Sequence, residues 1–310
     1  MRTLLDRSVL FFGGKGGVGK TTCAAATALE AARLGRRVLL VSVDPAHSVA
    51  DVFDTPIGEA PTRVAANLTA RELDPAIEAE RYLGAVREQV AQLFSATVVK
   101  QAFRQFELAA QAPGLEDVAV FDRVMQLVLE PVAGFDLLVV DTAPTGHALR
   151  MLAMPDALVE WLDALARRRG DIVSENDRTP GSRDADPVVA SLRQRSARVQ
   201  AFQRRLTDAA ATGFALVLTP ERLPIEETKR AADTLDRLGV GVPAVIVNRV
   251  LPVTAEGDYH AARVRQQQVY LGEIAARFAS YPLTTVTQLE SDVHGIPALE
   301  RVRAQLFGTA

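Results

Sequence analysis

The sequence predicts an α/β fold: a mostly parallel central sheet flanked by helices, with an inserted α-helical subdomain. Three observations carry that expectation. Short apolar runs recur at residues 8–12, 37–44, 135–141, 214–220 and 242–250, the pattern of strands buried on both faces. Segments with helical spacing of apolar residues separate them. A glycine-rich stretch follows the first run at once and opens an Ala- and Leu-rich segment.

That stretch, residues 13–22, reads GGKGGVGKTT. Gly14, Gly19, Lys20 and Thr21 fit the spacing G-x-x-x-x-G-K-[ST] of a phosphate-binding loop. Glycines around Lys15 and Val18 let the backbone turn its N–H groups toward one anion. Lys20 supplies a point charge for terminal phosphates, and the Thr21 hydroxyl a ligand for Mg²⁺. Gly14, Lys15, Gly16, Gly17, Val18, Gly19, Lys20, Thr21 and Thr22 are the expected nucleotide contacts. Residues 21–34, with Gly35 just beyond, read as a helix whose N-terminus faces the phosphates.

Lys15 is surplus to this motif, and a second lysine there has no role within one subunit. The form K-G-G-x-G-K-[ST] resembles the deviant-loop ATPases: the nitrogenase iron protein, the ParA and MinD partitioning ATPases, and the ArsA-type arsenite-pump and tail-anchored-protein-targeting ATPases. The resemblance implies a P-loop NTPase fold and an early lysine that reaches a partner's phosphates across a dimer interface.

Composition narrows the class further. Charged residues are 24 % and the formal net charge is −3, which gives no reason to expect a nucleic-acid-binding face. No apolar run approaches the roughly 20 residues needed to span a bilayer. The first twelve residues do not resemble a secretion signal, so the expected location is cytoplasmic, or at most peripheral to a membrane. Cys23 is the single cysteine and excludes an intrachain disulfide.

Residues 37–44 (RVLLVSVD) read as a buried strand ending in Asp44, placed near the phosphates because ligands collect at the carboxyl ends of such strands. The continuation D-P-A-H-S, through Pro45 and His47, resembles the switch I pattern of the ArsA-type ATPases. That resemblance implies that Asp44 orients the attacking water; His47 reads as a loop stabiliser rather than a base. Residues 67–75 form a short β-like segment. From Ala76, apolar residues at spacings of three to four (Leu83, Val86, Val90) predict a long helix to about Phe106. Pro113 and Gly114 break it, residues 115–117 resemble the P-G-x-[DE]-[DE] turn of the same ATPases, and another amphipathic helix runs to near Pro131.

Residues 135–141 (FDLLVVD) read as a strand ending in Asp141. The heptad D-T-A-P-T-G-H, Asp141 to His147, resembles the switch II signature of the same ATPases. It implies that Asp141 holds Mg²⁺ through water and that Thr142, Gly146 and His147 belong to a γ-phosphate sensor. Residues 149–165 and 188–206 read as helices on either side of a charged loop. Two more strands follow, the second ending in Asn248, whose amide suits the N6/N7 edge of adenine. Residues 278–283 resemble the last strand, with Pro282 flanking the base.

The expected organisation is one P-loop ATPase domain, its core about 1–75, 135–148 and 207–310, its helical subdomain about 76–134 and 149–206. The chain departs from the family it resembles in two respects. Arsenite activation there implies three thiolates, and one cysteine cannot supply them. The targeting branch implies a zinc-binding C-x-x-C, which is absent, so neither arsenite nor zinc is expected. The resemblance then implies an ATP- and Mg²⁺-dependent ATPase working as a homodimer, or as a heterodimer with a paralogue, on a hydrophobic or membrane-protein client. A non-hydrolysing nucleotide switch and a ParA- or MinD-like positioning ATPase are the alternatives.

Overall fold

The strands of one eight-stranded sheet are β1 (Val9–Gly13), β2 (Val38–Ser42), β3 (Thr62–Ala65), β4 (Leu68–Glu72), β5 (Leu137–Asp141), β6 (Thr212–Leu218), β7 (Ala244–Val250) and β8 (Leu283–Thr287). Their order is β3-β4-β2-β5-β1-β6-β7-β8, and every pairing is parallel except β3 with β4 at one edge. The computed structural model describes residues 1–44, 48–93, 114–130, 134–142, 159–160, 163–169, 186–253 and 257–308. Strands β1, β2, β5 and β6 are buried along their whole length, which is why they read as continuous apolar runs.

The chain divides into two compact units. The first (Met1–Asp74, Pro131–Arg150 and Leu206–Ala310) holds the sheet. Helix α1 (Lys20–Arg33) packs on its face through Ala24, Ala25, Ala28 and Ala31, all fully buried. Alanines keep the helix close to the strands without losing helix propensity. The short α2 (Ser48–Phe53) follows β2. The second unit (Pro75–Glu130 and Met151–Arg205) is helical where described. It contains α3 (Pro75–Leu93), α4 (Leu115–Leu129) and most of α5 (Pro187–Thr207). Phe121 of α4 meets Phe202 of α5 edge to face at 5.5 Å, and Glu78 of α3 pairs with Arg123 of α4 at 3.8 Å.

The remaining helices belong to the first unit: α6 (Arg222–Arg237), α7 (Asp258–Arg277) and α8 (Gly295–Phe307). Helix α6 buries Ile225, Thr228, Ala232 and Leu235, one face at helical spacing. Helix α8 packs on α1 and buries Leu299, Val302 and Leu306, so this terminal amphipathic face is occupied within the fold. Among the described residues no helix is long and apolar enough to cross a membrane.

Several expectations need correction. Residues 115–117 are the first turn of α4, because the break is complete at Gly114 (φ 90°), its N-cap. Residues 278–282 form a turn, closed by the Tyr281 N–H on the Phe278 carbonyl at 2.9 Å, and the last strand is the β-branched run that follows. Helix α7 was not expected, since it buries only Gln267 and Ile274 and shows little apolar periodicity. The predicted segments at residues 94–106 and 149–158, and most of the charged loop, lie outside the described residues.

Candidate active site

The sheet brings the sequence-distant motifs to one edge. Phe12 is in register with Asp141 across β1–β5, and Ser42 is in register with Asp141 across β2–β5. Strands β2, β4 and β5 lie to one side of β1 and β6, β7 and β8 to the other, so β1 marks the switch point where open parallel sheets bind ligands. The glycine-rich loop leaves β1 there. A Cβ on Gly14 would lie 2.2 Å from the Val217 carbonyl oxygen of β6, so only glycine lets the loop begin this close to the sheet. The loop then turns through Gly17 (φ 81°) and Gly19 (φ 90°), and Gly19 caps α1.

Lys20 and Thr21 begin α1 and are both buried. The Lys20 Nζ lies 3.5 Å from the Lys15 carbonyl oxygen and 3.9 Å from Oδ2 of Asp44. The Thr21 hydroxyl donates to Oδ2 of Asp141 at 2.6 Å, and the Ser42 hydroxyl lies 3.4 Å from the same oxygen. Oδ1 of Asp141 is buried with no hydrogen-bond partner. Thr142 turns back onto β1, its N–H and hydroxyl both donating to the Phe12 carbonyl, at 3.2 and 2.8 Å. Thus Lys20, Thr21, Asp44, Asp141 and Thr142 converge at one edge. Pro45, His47, Gly146 and His147 lie outside the described residues.

Burial raises the Asp141 carboxyl to about 7, and the nearby Asp44 charge adds to this, while the Thr21 hydroxyl, the Lys20 charge and Ser42 pull the other way. A buried carboxylate with one orphan oxygen, beside a hydroxyl, is a hard-oxygen donor set that fits Mg²⁺. In the metal-free protein the same arrangement is destabilising. The native carboxyl holds its proton up to about 7, whereas an unfolded one releases it near the ordinary value of 3.8. Native stability therefore falls as pH rises through that window. Asp141→Asn is expected to stabilise the nucleotide- and metal-free protein at pH 8, by an amount on the order of a few kcal/mol. At pH 4 the gain should vanish. Thermal melts of both proteins at the two pH values check this.

Lys15 has an ion-pair partner within its own chain, Glu227 Oε1 of α6 at 3.6 Å, both side chains about one-third exposed. No local pattern marks that glutamate, because the contact joins the loop to a distant helix. Glu72, at the end of β4, accepts from the Val49 and Ala50 N–H groups at 2.8 and 3.0 Å and so anchors the start of α2, directly after the Asp44 segment. Sequence reading missed this too.

Asn248 stands at the carboxyl edge of β7, 7 % exposed, beside a cavity of about 530 Å³. Gly19 and Thr22 line one wall, Thr287, Gln288 and Ser291 another. Pro282 is not brought to this edge. It precedes β8, with its carbonyl accepting from the Val245 N–H near the amino end of β7. The cavity beside Asn248 is lined instead by residues 287–293, at the opposite end of the strand. On the loop's other flank a second cavity of about 600 Å³ is lined by Lys15, Glu221, Arg222, Arg249 and Arg263. Cys23 lies fully buried in α1, its thiol pushed up to about 12 chiefly by burial.

Comparison with known proteins finds relatives that are named as ATPases. The family model described as anion-transporting ATPase matches residues 7–308. A protein of Aquifex aeolicus, provisionally named arsenical pump-driving ATPase 2, is 36 % identical over 94 % of this chain and 96 % of its own. The ATPase ASNA1 homolog of Trypanosoma cruzi is 32 % identical over 97 % of this chain and 92 % of its own. The ATPase GET3A of Arabidopsis thaliana is 32 % identical over 97 % and 84 %.

Proposed function

The chain belongs to the anion-transporting, ArsA-type ATPase family and is an ATP-hydrolysing enzyme, and from that premise we propose that it hydrolyses Mg²⁺–ATP between two subunits and uses the cycle to bind or deliver a hydrophobic or membrane-associated client. The observation that carries the catalytic half is the Thr21–Asp141 contact at 2.6 Å beside the orphan Oδ1. Thr21 and Asp141 would hold the ion, which supplies positive charge against the charge that develops on the phosphates.

The chain's own residues supply the rest by positioning and electrostatics. Loop amides from Gly14 to Lys20 and the Lys20 ammonium hold the β- and γ-phosphates. Asp44, next to Lys20, orients the attacking water. Asn248 faces the base, and Lys15 completes the partner's site. Asp141 and Thr142 open the segment that continues in sequence to His147 and then into the second unit's 151–205 portion, a direct chain route from phosphate state to helical unit. Buried and unreactive, Cys23 offers no exposed thiolate, which favours a protein client over a metalloid. A cytoplasmic site of action, with at most peripheral contact with membranes, goes with this reading.

Light-scattering mass with and without ATP and Mg²⁺, on wild type and Asp44→Asn, tests the proposal. A nucleotide-dependent shift from monomer to dimer that the variant traps is expected, together with turnover lost on chelating Mg²⁺. Turnover by a species that remains monomeric would overturn the two-subunit site.

A further inference from the structure

We infer that Asn248 is a positioning residue for the phosphate loop itself, so that the loop's grip on phosphate depends on an amide delivered from β7. The inference rests on the nucleotide-site reading above. The Asn248 Nδ2 donates to the Val18 carbonyl at 2.8 Å, in a buried contact between residues 230 positions apart. That carbonyl can only accept, so the amide nitrogen and not its oxygen must face it. A trans peptide holds its C=O and N–H antiparallel. Pinning the Val18 carbonyl therefore also aims the Gly19 N–H, one of the amides that such a loop offers its anion.

Two close approaches show how tightly the loop is seated. A Cβ on Gly19 would lie 2.2 Å from the Asn248 nitrogen, and one on Gly14 would lie 2.2 Å from the Val217 carbonyl. The loop is thus pressed on β6 at its start and on the β7 amide at its end. One N–H of Asn248 is committed to Val18. The second N–H and the carbonyl are what the side chain has left for a base. Base recognition and phosphate grip then share one side chain, and filling the base cavity stiffens the loop that holds the phosphates.

The test uses the full-length protein, wild type against Asn248→Ala and Asn248→Asp. The aspartate keeps the side chain's shape but sets an oxygen against the Val18 carbonyl. Without nucleotide, amide hydrogen exchange over residues 13–22 should quicken in the alanine variant and more so in the aspartate variant, with β6 and α6 unchanged. Affinity for ATP and for inorganic tripolyphosphate, which has no base, should fall together, by roughly tenfold for alanine, as expected for one hydrogen bond. Wild-type exchange in residues 13–22, acceleration spread evenly over the chain, or a loss confined to ATP would each overturn the inference. If wild type bound neither ligand, the nucleotide-site reading would fall, while the exchange measurement would still judge the brace.

Discussion

Lys15→Ala is expected to lower steady-state ATP turnover by about 10³ to 10⁵-fold, the range of a charge donated in trans to a phosphoryl-transfer site. The lysine is held in the free chain by Glu227, but at 3.6 Å with both groups about one-third exposed. A pair of that kind contributes about 1 kcal/mol or less. Exchanging one carboxylate for a triphosphate on a facing subunit is therefore cheap. Lys20 differs: it is buried in its own loop, 3.9 Å from Asp44, and its loss should weaken binding in its own subunit.

Mixing separates the two roles. Lys15→Ala and Lys20→Ala proteins should each be inactive alone. Combined in equal amounts they should recover about a quarter of wild-type turnover, because random pairing makes half of the dimers mixed and each mixed dimer keeps one intact site. In that site one subunit supplies Lys20 and the other Lys15. No recovery on mixing would place Lys15 in its own subunit's site and remove the reason for a shared one.

What was legible in the sequence was whatever chemistry is local in the chain. Gly14, Gly19, Lys20 and Thr21 lie within one turn and one helix start, so their spacing carries the geometry with it. Asp141, the last residue of β5, and Asp44, two residues past the end of β2, were legible because acids at the carboxyl ends of buried strands have a fixed place in a parallel sheet. Pro282 shows where that logic fails. The run FASYPLTTVTQ contains enough apolar residues to begin a strand early, but proline suits the start of a strand rather than its ladder. Moving the strand by its own length of five residues, about 16 Å of extended chain, leaves Pro282 at one pole of the sheet and brings residues 287–293 to the cavity beside Asn248 at the other. Contacts such as Asn248 with Val18, or Lys15 with Glu227, left no trace in spacing, because they exist only once the sheet has assembled.

The largest expected effect on stability comes from the seam between α1 and α8. The Arg303 guanidinium donates to Glu30 at 2.7 Å and to Glu300 at 2.6 Å, and Arg33 reaches the same Glu300 oxygen at 2.8 Å. The Arg303 and Glu30 side chains are only 7 % and 8 % exposed. Arg303→Ala would leave the Glu30 charge buried beside the apolar α8 face without a counterion, at a cost of about 3–5 kcal/mol. Replacing both by leucine should be far milder, since a buried ion pair contributes little net against apolar residues of similar volume. Urea unfolding followed by circular dichroism, with hydrogen exchange in α1 and α8, reads both variants. A double replacement as damaging as the single one would show that the pair itself, and not the orphaned charge, holds the seam. The consequence reaches the active site, because α1 begins at Lys20 and carries Thr21. A loosened α8 should quicken exchange in the first turn of α1 and weaken nucleotide binding before the chain as a whole unfolds, linking the terminal helix to the loop through one rigid rod.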